Sequence, residues 1–227
     1  MFSPFIINDK NLFLDRFPVA QVNRSLQAWD AADEYILNYL ADEKIITEKK
    51  NILIFNDTYG ALTTNLVGDN SLDAIKNNVF CVNDSFLSEQ GIKHNLEQNY
   101  LNADSVTYLT SLEELPSNID IILFKIPKSK SLLIEQLIQI KDSYSQEVIF
   151  IAGDRAKEIH SSTLKVFEKH LGTTKTSLAV KKARLVFCQL DNQQQHNSPY
   201  PTKWALENTE FTIINHANVY AREKLDI

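Results

Sequence analysis

The amino-acid sequence predicts an α/β fold, with a mostly parallel sheet, helices on both faces of it and a C-terminal antiparallel hairpin. Short apolar runs alternate with helical patterns from residue 51 to residue 171. Each run is wholly apolar, which is typical of strands that are covered on both faces. After Gly172, two extended runs follow with no helix between them, and this indicates a hairpin added to the sheet.

The helices and strands of the predicted sheet follow a regular order. The first helix is expected over residues 25–40, where Ser25 provides an N-cap and apolar side chains recur at helical spacing. Five strands are predicted after it, at residues 51–55, 79–82, 106–109, 120–124 and 148–152, the last ended by Gly153. Helices are predicted between and after these strands, at residues 59–67, 85–99, 131–144 and 162–171.

The C-terminal part of the sequence lacks this alternation. Gly172 is expected at the C-terminal position of the last helix. Extended segments are predicted beyond it at residues 174–180, 183–190, 204–206 and 211–214. Residues 191–202, rich in Asn, Gln, His, Pro and Ser, indicate a loop or linker that separates the two pairs of segments.

Composition excludes several classes of function. The 227 residues include 5 glycines, about 2% against an average of about 7%. No glycines have the spacing of G-x-G-x-x-G or G-x-x-x-x-G-K, and G-x-S-x-G is missing. Two cysteines, Cys81 and Cys188, cannot form a disulfide framework or a cysteine zinc site. Without a signal-peptide core or an apolar stretch of about 20 residues, we expect a cytoplasmic protein that does not enter a membrane.

Charge is distributed unevenly along the chain, whose formal net charge is −6. Residues 1–119 hold 8 Lys/Arg and 17 Asp/Glu, whereas residues 120–190 hold 12 and 7. An acidic first half beside a basic second half predicts one face that tolerates anions, with ordinary surface variation as the alternative. The overall acidity argues against a wholly basic nucleic-acid module.

Four local motifs carry a resemblance to a known family. They are Leu26-Gln-Ala-Trp-Asp-Ala-Ala-Asp-Glu-Tyr35, Ile159-His-Ser-Ser-Thr-Leu164 with Phe167-Glu-Lys169, Leu178-Ala-Val-Lys-Lys-Ala-Arg-Leu185, and Asn215-His-Ala-Asn-Val-Tyr220 with Leu225-Asp-Ile227. Together they closely resemble the N-terminal half of the ribosomal RNA large subunit methyltransferase G family, which methylates guanine N2 of 23S rRNA. A more distant likeness is to the small subunit methyltransferase C.

The resemblance implies a Rossmann-like methyltransferase fold and a role within a longer protein. Members have two methyltransferase-like halves, and the C-terminal half carries S-adenosylmethionine and the chemistry. Residues 1–190 would then be the degenerate first copy, and residues 191–227 a linker and small hairpin that lead to a catalytic domain absent from this chain. The expected partners are 23S rRNA and that C-terminal domain, and no cofactor is expected in this chain.

The residues themselves favour a degenerate copy. An active copy would end its first strand with D-x-G-x-G-x-G, but here Ile54 replaces the acid, Asn56 and Thr58 replace two glycines, and only Gly60 remains. An active amino-methyltransferase of this type also carries N-P-P-[FY] after the fourth strand. The stretch here is Lys125-Ile-Pro-Lys128, and a lysine ammonium has no acceptor lone pair with which to hold an amine. An acid at Asp84, after the second strand, is weak evidence for ribose binding.

Cations are predicted to gather at one edge of the sheet. In an open parallel sheet, ligands bind outside the carboxyl ends of the strands. The cations expected there, as candidates for contacting RNA phosphates, are Lys125, Lys128, Lys130, Arg155, Lys157, Lys181, Lys182 and Arg184. Tyr59 and Tyr108 are candidates for base stacking, against ordinary packing.

Three alternatives stay open. The lysines are merely solvated in the first. In the second, the chain is a structural or dimerisation domain of the same enzyme. In the third, the chain is an active methyltransferase that binds S-adenosylmethionine in an altered pocket.

Overall fold

The computed structural model describes residues 4–19, 26–68, 76–191 and 197–220. Its strands are β1 (Phe5–Ile7), β2 (Lys10–Leu12), β3 (Asn51–Phe55), β4 (Asn78–Val82), β5 (Val106–Leu109), β6 (Ile121–Lys125), β7 (Ile149–Arg155), β8 (Gly172–Thr176), β9 (Ala183–Leu190), β10 (Thr202–Ala205) and β11 (Thr212–Asn215). Its α-helices are α1 (Ala31–Asp42), α2 (Ala61–Leu66), α3 (Phe86–Gln98), α4 (Lys130–Ser143) and α5 (Ser161–His170).

Seven of these strands form one sheet, in the order β5-β4-β3-β6-β7-β9-β8. The pairs from β5 to β7 are all parallel, whereas β9 is antiparallel to both β7 and β8. The mostly parallel sheet and the closing antiparallel hairpin are therefore confirmed. Because β4 and β5 lie on one side of β3 and β6 on the other, the order of the sheet reverses between β3 and β6.

Each face of the sheet has its own hydrophobic core. Ile52 and Ile54 of β3 pack towards α1, α2 and α3, whereas Leu53 and Phe55 pack towards α4 and α5. On that second face, the Phe124 ring lies 5.3 Å from the ring of Phe55. Since successive side chains of a strand point to opposite faces, an all-apolar strand requires helices on both sides, as predicted.

Helix α1 begins later than predicted. Asp30 is its N-cap, and its carboxylate accepts hydrogen bonds from the backbone N–H groups of Ala32 and Asp33 at 2.8 and 3.2 Å. Asp33 returns the contact by accepting from the Asp30 N–H at 2.9 Å. This capping box satisfies the open donors of the first turn, so the helix begins at Ala31. The predicted cap Ser25 lies outside the described residues.

Gly153 and Gly172, which the sequence predicts to end a strand and a helix, have other positions in the structure. Gly153 does not end its strand, because Asp154 and Arg155 continue β7 in register with Arg184 and Ala183 of β9. Gly172 starts β8, at a φ of 142°. The hairpin β1–β2 was not predicted by the sequence. The hairpin β10–β11 is present close to its predicted position.

Candidate functional site

A cleft of about 900 Å³ opens at the carboxyl edge of the sheet, beside the point where the strand order reverses. Its walls come from the loops that follow β3 and β6, from the end of β7 and from the first turn of α5. The polar residues that line it are Arg16, Asp30, Asn56, Thr58, Lys125, Lys128, Lys130, Asp154, Arg155, Glu158, Ser162 and Thr163. Ligands of open α/β sheets bind at such a reversal.

Asn56, which lines the cleft, forms an amide pair with Gln136. Asn56 follows β3 with a φ of 61°, and its Nδ2 donates hydrogen bonds to the Lys125 carbonyl and to Gln136 Oε1, both at 2.9 Å. Nε2 of Gln136 donates back to Asn56 Oδ1 at 3.0 Å. These bonds connect the loop after β3 to both β6 and α4, so Asn56 occupies a position where glycine would leave room for a ligand.

The rest of the β3 loop is held by Asp57. This buried carboxylate accepts hydrogen bonds from the Gly60 N–H at 3.0 Å, and from the N–H and Oγ1 of Thr63 at 2.9 and 2.8 Å. The N–H groups of Gly60 and Thr63 therefore have an internal acceptor. Gly60 has a φ of 85°, and a Cβ there would lie 3.1 Å from the Cα of Ile92. The remaining glycine of the motif thus allows α2 and α3 to pack closely.

The acid after β4 also has partners within the protein. Asp84 accepts hydrogen bonds from the N–H and Oγ of Ser111, at 2.7 and 2.8 Å, and from Nδ2 of Asn218 at 3.0 Å. The carboxylate connects β4 to the loop after β5 and to the C-terminal segment. Three polar residues at the positions of a cofactor site are therefore engaged in internal hydrogen bonds.

Lys125 is an internal ion-pair residue. Its side chain is 12% exposed, and its Nζ lies 2.6 Å from Asp33 and 2.8 Å from Asp30. Burial opposes its charge, but the two carboxylates outweigh burial and raise the pKa of Lys125. Burial raises the pKa of Asp33 to about 6 against the attraction of Lys125. The Lys125 charge is thus balanced inside the protein, which leaves it little capacity to neutralise a phosphate.

Most of the other predicted cations do lie together. Lys128, Lys130 and Arg155 line the cleft. The turn between β8 and β9 adjoins them, because the Ala156 N–H donates to the Lys182 carbonyl at 2.7 Å. This turn brings in Lys181 and Lys182, Arg184 lies in β9 opposite Asp154, and Lys157 follows β7.

Several of these cations have acidic neighbours. Arg155 and Lys157 lie 3.2 and 3.9 Å from Glu158, and Lys181 lies 2.8 Å from Glu34. Lys128, Lys130 and Lys182 are exposed, and none has an ion pair among the described residues. We call Lys128, Lys130, Lys181, Lys182 and Arg155 the basic edge.

The two predicted stacking residues are covered by cations. The Arg16 guanidinium lies 5.6 Å from the centre of the Tyr59 ring, and Lys93 Nζ lies 4.7 Å from that of Tyr108. Sequence reasoning missed Arg16, which reaches the cleft from the N-terminal segment. It also missed Asp154, which lines the cleft because β7 continues past Gly153.

The fold is that of Rossmann-like methyltransferases. It is similar to T. thermophilus 16S rRNA N2 methyltransferase RsmC, with a TM-score of 0.61 and 10% identity over 99% of this chain and 54% of that one. It is also similar to precorrin 8w decarboxylase of Methanobacterium thermoautotrophicum, with a TM-score of 0.54 and 16% identity over 73% of this chain and 94% of that one.

The chain belongs to the RLMG N-terminal domain family, whose model matches residues 3–192. A relative named ribosomal RNA large subunit methyltransferase G, from Colwellia psychrerythraea, is 63% identical over all of this chain and 59% of its own length. The Vibrio vulnificus protein of the same name is 44% identical over 96% of this chain and 55% of its own length. The resemblance found in the sequence is confirmed, and the chain spans little more than half of these relatives. Within the described ranges, no helix is long and apolar enough to cross a membrane.

Proposed function

We propose that this chain is the rRNA-binding, non-catalytic domain of an S-adenosylmethionine-dependent 23S rRNA guanine-N2 methyltransferase. Residues 1–190 form the degenerate copy, and residues 191–227 lead to a C-terminal domain that holds the cofactor and transfers the methyl group. The relatives are named as rRNA methyltransferases, and they are longer than this chain. The domain acts in the cytoplasm, where rRNA is its partner.

One observation carries the non-catalytic part of the proposal: the residues at the expected cofactor positions do not fit S-adenosylmethionine. Asn56 is paired with Gln136, Asp57 closes its own loop, and Asp84 is bound to Ser111 and Asn218. Opening the first two for a ligand would leave the buried Gln136 and Asp57 without these partners, at about 1–3 kcal/mol each, whereas Asp84 is exposed. We therefore derive no methyl transfer in this chain.

Calorimetry with S-adenosylmethionine tests this part of the proposal. We expect no binding by the isolated chain at micromolar cofactor, because the ligand would have to displace these internal hydrogen bonds. Micromolar binding would instead support an active enzyme with an altered pocket.

The basic edge supports the RNA-binding part. Lys128, Lys130 and Lys182 are exposed cations without ion pairs in the described part of the chain, and they lie on a protein of net charge −6. Lysines that contact phosphates release counterions from the RNA, which provides affinity with little sequence readout. Concentrating such lysines at one edge of an acidic domain would orient RNA towards that edge.

RNA affinity measured across a range of salt concentrations tests the edge. We expect the double variant Lys128→Ala, Lys182→Ala to bind more weakly and to lower the slope of log K against log salt by about 1 per lysine. Lys49→Ala with Lys169→Ala is the matched control, since both lysines are exposed and lie towards the opposite edge. Equal losses in the two double variants would reject the basic edge as the interface.

A structural role is the second candidate. The side chains of Phe86, Leu112 and Tyr220 are 71%, 64% and 81% exposed, and each lies within two residues of a member of the Asp84 hydrogen-bond group. Such apolar surface favours contact with the rest of the parent enzyme. If this were the domain's sole role, deleting residues 1–200 of the parent would lower its stability but leave its RNA affinity unchanged.

A further inference from the structure

The cleft beside the basic edge combines cations with a carboxylate, Asp154, that has no ion pair among the described residues. Arg184 of β9 lies opposite it, and the charges of Lys125 and Arg155 partly offset the rise in its pKa that burial causes, but none of these three cations is within ion-pair distance. Lys128 and Lys130 form part of its wall, and Asp154 forms another part from the end of β7. One oxygen of Asp154 accepts the Arg155 N–H at 2.6 Å. The structure gives its second oxygen no hydrogen bond, and gives Asp154 no ion pair, among the residues it describes.

Asp154 is half-buried, and burial raises its pKa. A half-buried carboxylate oxygen with an open lone pair is an acceptor for an N–H donor, because part of its desolvation has already occurred on folding. A lysine could not take the place of this carboxylate, since ammonium groups only donate.

Another part of the cleft favours an anion rather than an N–H donor. Besides the two lysines, the first turn of α5 contributes Ser162 and Thr163. Its N-cap residue, His160, makes no capping hydrogen bond through its side chain. The first turn of a helix attracts anions through its open N–H groups, and here it shares a cavity with the exposed Lys128 and Lys130, while Glu158 in the same lining is paired with Arg155 and Lys157. An anion is thus favoured in one part of the cleft and an N–H donor in another.

The volume of the cleft limits what can enter. At about 900 Å³, it lies within the range of about 300–1,000 Å³ that is typical of small-molecule sites. It can therefore admit one nucleotide but not a duplex. Unpaired nucleotides are the part of RNA whose base edges proteins can read.

We propose that the cleft holds one unpaired RNA nucleotide. Its phosphate lies against Lys128 and Lys130, and the amino group of its base donates a hydrogen bond to Asp154. This inference rests on the proposed RNA-binding function and adds a base preference to it. Cytosine, adenine and guanine present an exocyclic amino group, whereas uracil has a carbonyl oxygen at position 4, which a carboxylate repels, and can donate only through its ring N–H. Acidic side chains accept from cytosine N4 in the same way in DNA complexes.

CMP and UMP are the matched probes, because they differ at base position 4, where one has an amino group and the other a carbonyl. In a ¹⁵N-NMR titration of this chain, we expect both nucleotides to shift the amide signals of residues at the cleft. CMP should bind about tenfold more tightly than UMP. Asp154→Asn should abolish this preference, because an amide both donates and accepts. Lys128→Ala with Lys130→Ala should weaken CMP and UMP equally, and Lys49→Ala with Lys169→Ala should change neither.

Other outcomes would overturn the inference. Equal affinities of the wild type for CMP and UMP, or shifts located away from the cleft, would exclude a base-reading site. If either of these results were found while the double variant Lys128→Ala, Lys182→Ala still lowered RNA affinity, the inference would fail and the proposed function would remain. If S-adenosylmethionine displaced CMP at micromolar concentration, the cleft would be a cofactor site. Both this inference and the proposed non-catalytic function would then fail. The amide spectrum of each variant shows whether it is folded.

Discussion

Asn56 and Gln136 donate hydrogen bonds to each other's side-chain carbonyls, at 2.9 and 3.0 Å, across the point where the order of the sheet reverses. Two amides in this arrangement satisfy one donor and one acceptor each. Since Asn56 also donates to the Lys125 carbonyl, the pair holds β3, β6 and α4 together. A position that serves ligands in related folds is here a structural contact.

Gln136→Leu should therefore destabilise the domain. The change leaves both polar ends of the Asn56 amide with one partner fewer, and we expect a loss of about 1–3 kcal/mol in the free energy of unfolding. Urea denaturation followed by circular dichroism measures it. Gln146→Leu is the control, because Gln146 is exposed and should change stability by less than about 0.5 kcal/mol. Similar effects of both changes would mean that the amide pair contributes little.

Asp33 should make stability fall as pH rises from about 4 to about 6. Burial raises its pKa in the folded protein to about 6, from an ordinary value of 3.8. The folded state then binds this proton more tightly than the unfolded chain, so the contribution is complete below pH 3.8 and is lost as pH rises towards 6. We expect the free energy of unfolding of the wild type, minus that of Asp33→Asn, to decline by up to about 1.4 kcal/mol per pH unit in that window. A flat difference between the two unfolding curves would contradict the prediction.

Glu34→Gln should strengthen RNA binding. Glu34 lies 2.8 Å from Lys181, so the neutral amide frees this lysine for phosphate while the Trp29 indole can still donate to its oxygen. We expect the slope of log K against log salt to increase by about 1. Glu168→Gln changes the net charge equally on the exposed face of α5, and its slope should match that of the wild type. If both variants gained alike, the effect would come from total charge rather than from Lys181.

Gly60→Ala should destabilise the contact between α2 and α3. The residue has a φ of 85°, and an added Cβ would lie 3.1 Å from the backbone of Ile92. Conformational strain and overpacking together predict a loss of about 1–3 kcal/mol in denaturant unfolding. Gly60→Asn separates the two causes, because Asn tolerates positive φ but brings the same Cβ. An unchanged midpoint for Gly60→Asn would exclude the steric part.

Sequence patterns predicted the sheet because they depend on local chemistry. The all-apolar run that ends at Phe55 requires cover on two faces, and the glycine-poor loop from Asn56 to Gly60 cannot approach a ligand through its backbone. These features need no knowledge of distant residues.

Long-range pairing explains what the sequence did not reveal. Lys125 is a lysine that follows a predicted strand, which by itself indicates a phosphate ligand. Its partners Asp30 and Asp33 are more than 90 residues away in the chain. Gly153 has the local properties of a strand end, yet the register with β9 carries β7 to Arg155 and brings Asp154 into the cleft. Ion pairs between elements and strand extension by a neighbour leave little periodic signal.

The hydrogen bond between Asp84 and Asn218 holds the last described residues against the end of β4. That contact lies beside β4 and β5, in the acidic half, while the lysines follow β6, β7 and the turn before β9. The described part of the C-terminal segment leaves Lys128, Lys130 and Lys182 exposed, so a large, negatively charged molecule can approach them from outside.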